Sequence, residues 1–235
     1  MMCAILLWSA LLPGDLFILA LVTAGTCAGA ILPDFQMKKP KQTGLLTLAW
    51  LISRFTGLIC MPALCSIYSQ ILPVAPDAGD KRLTHSLPGI AFILAMVTGL
   101  TLVPVLFIGY WTILSLSRFF LGGVILGMAL HLLEDLCTMK GISPVFPFSS
   151  FSISGSIRPC NGADLRIARF QAEHASVLGI FLALHATGFL PVPLLQEMSV
   201  AGICVLLGCM VYTSDVTFGR SWAFPDFQRI ASPVP

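Results

Sequence analysis

The chain has 235 residues, of which 57% are hydrophobic and only 10% are charged. Soluble domains carry about 25% charged residues, so a water-soluble fold would lack polar surface, and the mean hydropathy of +0.91 indicates an all-α fold, a polytopic transmembrane helical bundle. The net charge of +2 gives no reason to expect a nucleic-acid partner; the partner that this composition predicts is the lipid bilayer.

The apolar segments predict about five to seven membrane helices, some of them broken by proline. A short or partial first helix ends at Pro13. A membrane-spanning helix takes about 20 apolar residues, and four segments meet that requirement: 15–32, 119–137, 170–190 and 194–213. We expect residues 1–213 to form a single membrane-embedded domain and residues 214–235 to form an interfacial or flexible tail.

Two further segments leave alternatives open because proline interrupts them. Segment 44–73 contains Arg54 and Pro62, and it is either a helical hairpin or a pair of half-helices. Segment 86–117 contains two prolines, and it is either one long kinked helix or two shorter helices. The number of membrane crossings in segment 44–73 is therefore open at the level of sequence.

Basic residues predict the orientation in the membrane. Eleven of the thirteen fall into four clusters, at 38–41, 81–82, 140–169 and 220–229. Because basic loops stay on the cytoplasmic side, we expect a multi-pass protein of the cell (inner) membrane with these clusters in the cytoplasm. The end of segment 15–32, the start of segment 86–117 and the end of segment 119–137 would then lie at the same face of the membrane.

Four side chains that can bind a metal ion lie at those helix ends. Asp34 follows the first span in "AILPDF", and His85 precedes the next span in "DKRLTHSL". His131 and Asp135 are four residues apart in "MALHLLEDLCT", so they project from one side of a helix. Imidazole and carboxylate ligands suit zinc, manganese or iron(II). The alternative is that these helix ends emerge among lipid headgroups with their acids solvated.

Three stretches together resemble the YdjM-like family of membrane-bound proteins, which are described as metal-dependent hydrolases. The family shows an L-P-D-x-D-H segment, an H-R-G-x-T-H-S segment and an H-x-x-x-D-x-x-T-x-x-G segment. The matching stretches are 29–37, 79–92 and 120–165. The resemblance implies one or more divalent metal ions, with zinc first and manganese or iron as alternatives. The implied ligands are Asp34, His85, His131 and Asp135.

The resemblance also gives roles to neighbouring residues. Thr84 and Thr138 would frame the site, and Lys81 takes the place of a family arginine. The chain departs from the family pattern at three positions that the family fills with aspartate or histidine: Gln36, Met37 and Asp80. These departures leave open whether the site holds one ion or two and whether hydrolysis is retained.

Two classes of function fit these residues. The first is a metal-dependent hydrolase at the cytoplasmic face, in which a water molecule activated by the metal attacks an ester or phosphoester. Glu134 or Asp80 would act as the base, and Lys81 and Arg82 would attract a phosphoester substrate or an anionic lipid. The alternative is a catalytically inactive membrane protein of the same fold that binds metal or serves as a scaffold.

Two other features remain open between a site role and a plain interfacial role. Glu173 and His174 begin segment 170–190 at the same membrane face, and they either complete the site or form a solvated pair. The loop 142–165, rich in Phe, Ser and Pro, is either a lid over the site or an interfacial loop. The side chains that we expect to dip into lipid are Phe146, Phe148 and Phe151.

Overall fold

The computed structural model describes residues 16–34, 47–72, 80–108, 111–159 and 161–220. The predicted partial helix before Pro13, and also Gln36 and Met37, lie outside these residues. The described residues form six α-helices: α1 Leu16–Ile31, α2 Thr47–Ile71, α3 Leu87–Ile108, α4 Trp111–Leu136, α5 Arg166–Thr187 and α6 Val192–Thr213. The prediction of an all-α polytopic bundle is confirmed.

Three helical segments in the described residues are long and apolar enough to cross a membrane: Phe17–Asp34, Leu116–Leu136 and Pro193–Thr213. The shorter apolar helical segments are Gly57–Ile71 and Leu87–Val103. The prediction that segment 170–190 meets the same test is wrong, because Gln171, Glu173 and His174 lower the hydropathy of α5. α5 nevertheless packs along α6 through an apolar cluster that includes Phe181, Leu195 and Ile203.

The two proline-containing segments differ from what the sequence predicts. Segment 44–73 forms one helix, α2, which runs through Pro62, so the hairpin and the half-helices are both wrong. A proline costs a helix one backbone hydrogen bond, and bundles in membranes tolerate that loss. Segment 86–117 is divided, because α3 ends at Ile108 and the residues from Trp111 onward belong to α4.

α1 and α4 meet by direct backbone contact. Each helix carries two glycines four residues apart, which are Gly25 and Gly29 in α1 and Gly123 and Gly127 in α4. A Cβ atom at any of these positions would overlap a carbonyl oxygen of the other helix. Paired small residues are a common means by which membrane helices approach closely. This contact sets Asp34, just beyond the end of α1, beside His131 near the end of α4.

The segment between α4 and α5 is held against the helix ends rather than free. Strand β1, Phe151–Ser154, pairs antiparallel with strand β2, Thr217–Arg220, which follows α6. Isolated bridges join Thr138 to Ile157 and Ile142 to Ile153. The first residues of the predicted tail are therefore part of a two-stranded ribbon, while Trp222, Phe224 and Phe227 lie outside the described residues.

Arg166 fastens this segment to the start of α5 and the end of α6. Its guanidinium binds Asp164 at 2.7 Å, the carbonyl oxygen of Ser156 at 2.9 Å and that of Thr213 at 3.2 Å. Phe146 in the same segment is buried, so the prediction that it lies in lipid is wrong; its ring packs edge-on against Tyr68 of α2.

Candidate metal centre

Three separate parts of the chain supply the four predicted ligands at one end of the bundle. Asp34 ends a 3-10 turn that directly follows α1. His85 lies between the 3-10 turn Lys81–Leu83 and the start of α3. His131 and Asp135 occupy the last turns of α4 and project from one side of it. The structure therefore brings together residues that are about a hundred positions apart in sequence.

The donor atoms of the two histidines lie close to each other and to both aspartates. Nε2 of His85 is 3.3 Å from Nε2 of His131, 3.3 Å from Oδ1 of Asp34 and 3.2 Å from Oδ2 of Asp135. Nε2 of His131 is 3.8 Å from a carboxylate oxygen of each aspartate. Ligand atoms in a tetrahedral zinc site lie about 3.3 Å apart, since the metal–ligand bonds are about 2.0–2.1 Å.

The tightest set within these four contains three residues. The donor atoms of Asp34, His85 and His131 all lie within 4.8 Å of one another. Asp135 contacts both histidines but falls outside that mutual limit. The donor set therefore fits a divalent ion held by two imidazoles and one or two carboxylates.

The hydrogen bonds of His85 determine which of its two ring nitrogens carries the proton when the imidazole is neutral. The other nitrogen faces the centre. Nδ1 lies 2.9 Å from the carbonyl oxygen of Lys81 and 3.0 Å from Oγ1 of Thr84. A carbonyl oxygen only accepts, so Nδ1 carries a proton, and a neutral His85 presents an unprotonated Nε2 to two carboxylates. Such facing acceptors repel one another unless a cation or a proton lies between them. Histidines that bind metals usually donate their second nitrogen to a carbonyl in this way.

A proton on His85 is the competitor of a metal ion at this centre. Burial of His85 lowers the pKa of its imidazole, but the hydrogen bonds that the ring donates to Asp135 and Asp34 and the charges of these carboxylates outweigh burial and raise that pKa to about 9. When no ion is bound, the two carboxylates that would bind a divalent ion therefore stabilise the protonated imidazole of His85 instead. Metal binding at this centre is expected to displace that proton.

The basic residues beside the centre are engaged in ion pairs. Nζ of Lys81 lies 3.0 Å from Oδ1 of Asp34. Arg82 pairs with Asp80 at 2.7 Å, and its guanidinium also lies 4.9 Å from the centre of the Phe146 ring. Asp80 in addition accepts a hydrogen bond from the backbone N–H of Arg82. The structure thus places Lys81 at the centre, and it places Asp80 and Arg82 in a pair of their own.

The small polar residues of the motifs shape the turns around the centre. Oγ of Ser86 accepts a hydrogen bond from the N–H of Gly89 at 3.2 Å, which is an N-cap interaction at the start of α3. Thr138 donates to the carbonyl oxygen of Asp135 at 2.8 Å and accepts from the N–H of Gly141. Gly141 has a φ of 61°, a conformation that favours glycine. These residues hold the turns that lie next to the ligands.

A cavity of about 470 Å³ adjoins the centre on the other side of Asp135. It lies between the ends of α4, α5 and α6, and Ile157 and Pro159 of the connecting segment form part of its wall. Its polar lining residues are Glu134, Asp135, Thr138, Gln171 and His174. The segment 142–165 thus covers one side of the cavity, while its strand and bridges hold it in place.

The two additional residues predicted in α5 have different positions. His174 lines the cavity, and its Nδ1 donates to the carbonyl oxygen of Phe170 at 2.6 Å, so Nε2 remains available as an acceptor. Glu173 points away and pairs with Arg169 at 2.7 Å. Gln171, which the sequence analysis missed, also lines the cavity. Its spacing of three residues from His174 places both polar side chains on one side of α5, and that spacing was the available signal.

The comparison with protein families agrees with the motifs. The family model described as YdjM inner membrane protein matches residues 1–214, so the chain belongs to this family of inner membrane proteins. Comparisons with curated proteins and with solved structures found no match. The family supports the location in the inner membrane, and the chemistry of the centre is argued from its geometry.

Proposed function

We propose that this member of the YdjM family is a metal-dependent hydrolase that cleaves an ester or phosphoester bond at the cytoplasmic face of the inner membrane. One observation carries the proposal: Nε2 of His85 lies within 3.3 Å of Nε2 of His131 and of carboxylate oxygens of Asp34 and Asp135. Such an arrangement of acceptors is favourable around a cation. The cavity, which Asp135 lines, would be the route by which a substrate reaches this position.

The donor types indicate which ion the centre would hold. Asp34, His85, His131 and Asp135 offer nitrogen and oxygen atoms, which suit zinc first and manganese or iron(II) as alternatives. When bound, a divalent ion would polarise a carbonyl or phosphoryl oxygen and lower the pKa of a bound water molecule to about 7. Lys81 offsets part of the negative charge of the two carboxylates.

Glu134 is the residue best placed to accept a proton from the attacking water. It lines the cavity next to Asp135, it is exposed, and the described residues form no ion pair with it. Asp80, the other candidate base, is bound to Arg82 at 2.7 Å and does not line the cavity. Glu134 would then return the proton to the leaving oxygen, as a general base and acid does in hydrolysis.

Metal analysis of the purified protein tests the proposal. We expect about one zinc, manganese or iron ion per chain, and we expect His131→Ala to lose that ion together with any hydrolytic activity. The matched control is His185→Ala, because His185 lies in α5 and stacks on Phe181. Wild-type protein that is folded, exposed to these ions and still free of metal would contradict the proposal.

A non-catalytic metal-binding or scaffold protein is the second candidate. The observation that favours it is the salt bridge between Asp80 and Arg82. The family pattern has a histidine at position 80, whereas in this chain the residue at that position forms an ion pair. Under this alternative the protein binds metal stoichiometrically, and the variant Glu134→Gln behaves like the wild type in every hydrolysis assay. Under the hydrolase proposal Glu134→Gln keeps the metal and loses turnover.

A further inference from the structure

We infer that the substrate is an uncharged amphiphile, a carboxylic ester with an apolar acyl chain, and that it binds in the cavity between α4, α5 and α6. The reaction rests on the proposed function, whereas the binding site rests on the cavity alone. Of the two bonds named in the proposed function, the ester and the phosphoester, the inference keeps only the ester. An uncharged substrate thereby replaces the anionic substrate that the sequence led us to expect. Three observations lead to it.

The first observation is the charge of the cavity wall. Glu134 and Asp135 line the cavity, and no lysine or arginine does so in the described residues. A divalent ion, Lys81 and the carboxylates of Asp34, Asp135 and Glu134 would together carry no net charge. A phosphate group in this cavity would meet the carboxylates of Glu134 and Asp135 with no lysine or arginine of the wall to offset them, and like charges at such distances repel. An uncharged ester carbonyl meets no such repulsion.

The second observation is that three basic side chains near the centre are already paired with carboxylates. Lys81 binds Asp34, Arg82 binds Asp80 and Arg169 binds Glu173. Recognition of phosphate normally uses arginine or lysine donors that are directed at the anion. Using any of these residues for that purpose would break an existing ion pair.

The third observation is the apolar character of most of the cavity wall. The polar lining residues of α4, Glu134 and Asp135, lie near its end and next to the metal centre. Leu130 lies about 6 Å deeper along α4 than Glu134, since a helix rises 1.5 Å per residue. The other large apolar side chains of the wall are Ile167, Phe170, Leu207 and Met210. An amphiphile that keeps its polar end at the membrane surface and its chain in the apolar layer would enter in that orientation.

The reaction that follows is the hydrolysis of a carboxylic ester. The oxygen of water forms a bond to the carbonyl carbon, the bond from that carbon to the alkoxy oxygen breaks, and the alkoxy oxygen takes up a proton. The products are a carboxylic acid and an alcohol, and no oxidant, reductant or further reactant is needed. Glu134 is placed to carry the proton from the water to the leaving oxygen.

Hydrolysis assays on protein in lipid nanodiscs test the substrate class. We expect turnover of para-nitrophenyl esters, with kcat/KM rising by about threefold to fourfold per added methylene of the acyl chain until the cavity is full. We expect no turnover of para-nitrophenyl phosphate above that of the His131→Ala variant. Turnover of the phosphate without turnover of the esters would overturn the inference and leave the proposed hydrolase function standing.

A binding experiment without metal tests the site independently of activity. The probe is an alkyl glycerol ether, which cannot be hydrolysed, with a diazirine in its chain; it is applied to protein treated with a chelator. We expect photocrosslinks at Leu130, Phe170 or Leu207. Gln171→Trp, which fills the cavity, should reduce them by about tenfold, whereas Ala172→Trp, at the next and exposed position, should not.

The hydrolysis assay and the crosslinking experiment can each give a negative result independently of the other. Crosslinks in the cavity without turnover of any substrate would support the binding site and contradict the proposed hydrolase. Crosslinks spread evenly over the lipid-facing helices, and insensitive to Gln171→Trp, would overturn the inference even if the protein hydrolyses esters.

Discussion

At the scale of single residues, the centre depends on the orientation of the His85 ring. Thr84 is fully buried, and its Oγ1 lies 3.0 Å from Nδ1 of His85. We expect Thr84→Val to weaken zinc binding by about tenfold, the lower end of the usual effect of removing a residue that orients a ligand. Competition with a fluorescent zinc chelator measures the affinity. Thr101→Val removes a similar hydroxyl within α3 and should change nothing; equal affinities in both variants would contradict this role of Thr84.

The raised pKa of His85 predicts how the metal-free protein responds to pH. Its pKa is about 9 in the folded chain and about 6.5 in an unfolded chain. The resulting stabilisation, on the order of 3 kcal/mol, is fully present below about pH 6.5 and is lost as the pH rises through about 9. We therefore expect the thermal unfolding midpoint of chelator-treated protein to fall over this interval. Zinc affinity should rise over the same interval, since the ion displaces the proton.

The variant His85→Asn separates this effect from other titrating groups. Asparagine keeps an N–H that can donate to the carbonyl oxygen of Lys81, but it does not titrate. The fall in the unfolding midpoint with rising pH should be smaller in the variant than in the wild type. A wild-type midpoint that rises with pH in the absence of metal would show that His85 is neutral, and that the two aspartates do not hold its proton.

The sequence showed the four ligand candidates because ionisable residues are scarce in membrane segments and costly there. The spacing of four between His131 and Asp135 also indicated a shared face of a helix. The sequence did not show whether Glu134 or Asp80 is better placed to act as the base. That distinction depends on the 3-10 turn at Lys81–Leu83, in which the side chain of Asp80 accepts from the N–H of Arg82. Such a turn has no hydrophobic period that a sequence pattern could reveal.

At the scale of helices, the glycine contact between α1 and α4 determines the distance between Asp34 and His131. A Cβ at position 29 would overlap the carbonyl oxygen of Val124, so Gly29→Ala must push the two helices apart. We expect a lower unfolding midpoint and zinc binding weakened by about tenfold or more. Gly99→Ala is the control, since a Cβ there meets nothing within 4 Å, and it should stabilise α3 by at most about 1 kcal/mol. Equal behaviour of both variants would contradict the role of the contact.

Helix boundaries were only partly predictable because they depend on tertiary contacts. The sequence suggested that Pro62 breaks segment 44–73, yet α2 continues through it, and after Pro62 the helix packs Leu64 and Tyr68 against Leu83. The pairing of β1 with β2 joins residues more than sixty positions apart. Hydrophobic periodicity reports on local structure, so it gives no sign of such a pairing between two short strands.

At the scale of the whole molecule, the centre shares one end of the bundle with Lys81 and Lys140, whereas Arg118 lies toward the start of α4. Lys81 contacts Asp34 directly, and Lys140 follows α4 by a few residues. The connection between α5 and α6 lies at the opposite end, because these helices are antiparallel and each has 22 residues. A helix of that length measures about 33 Å and matches the apolar thickness of a bilayer. Since Pro193–Thr213 of α6 is long and apolar enough to cross a membrane, we expect the two ends of the bundle to face opposite sides of it.

The distribution of basic residues predicts that the end with the centre is cytoplasmic. In a background without native cysteines, we expect Lys140→Cys to resist a membrane-impermeant maleimide in intact spheroplasts and to react after lysis. Phe189→Cys, between α5 and α6 at a position that is 79% exposed, should react in both preparations. The reverse pattern would place the centre on the periplasmic side. A substrate would then have to reach the centre from the outer leaflet. The centre would have no access to metal ions in the cytoplasm, and water-soluble products would not be released there.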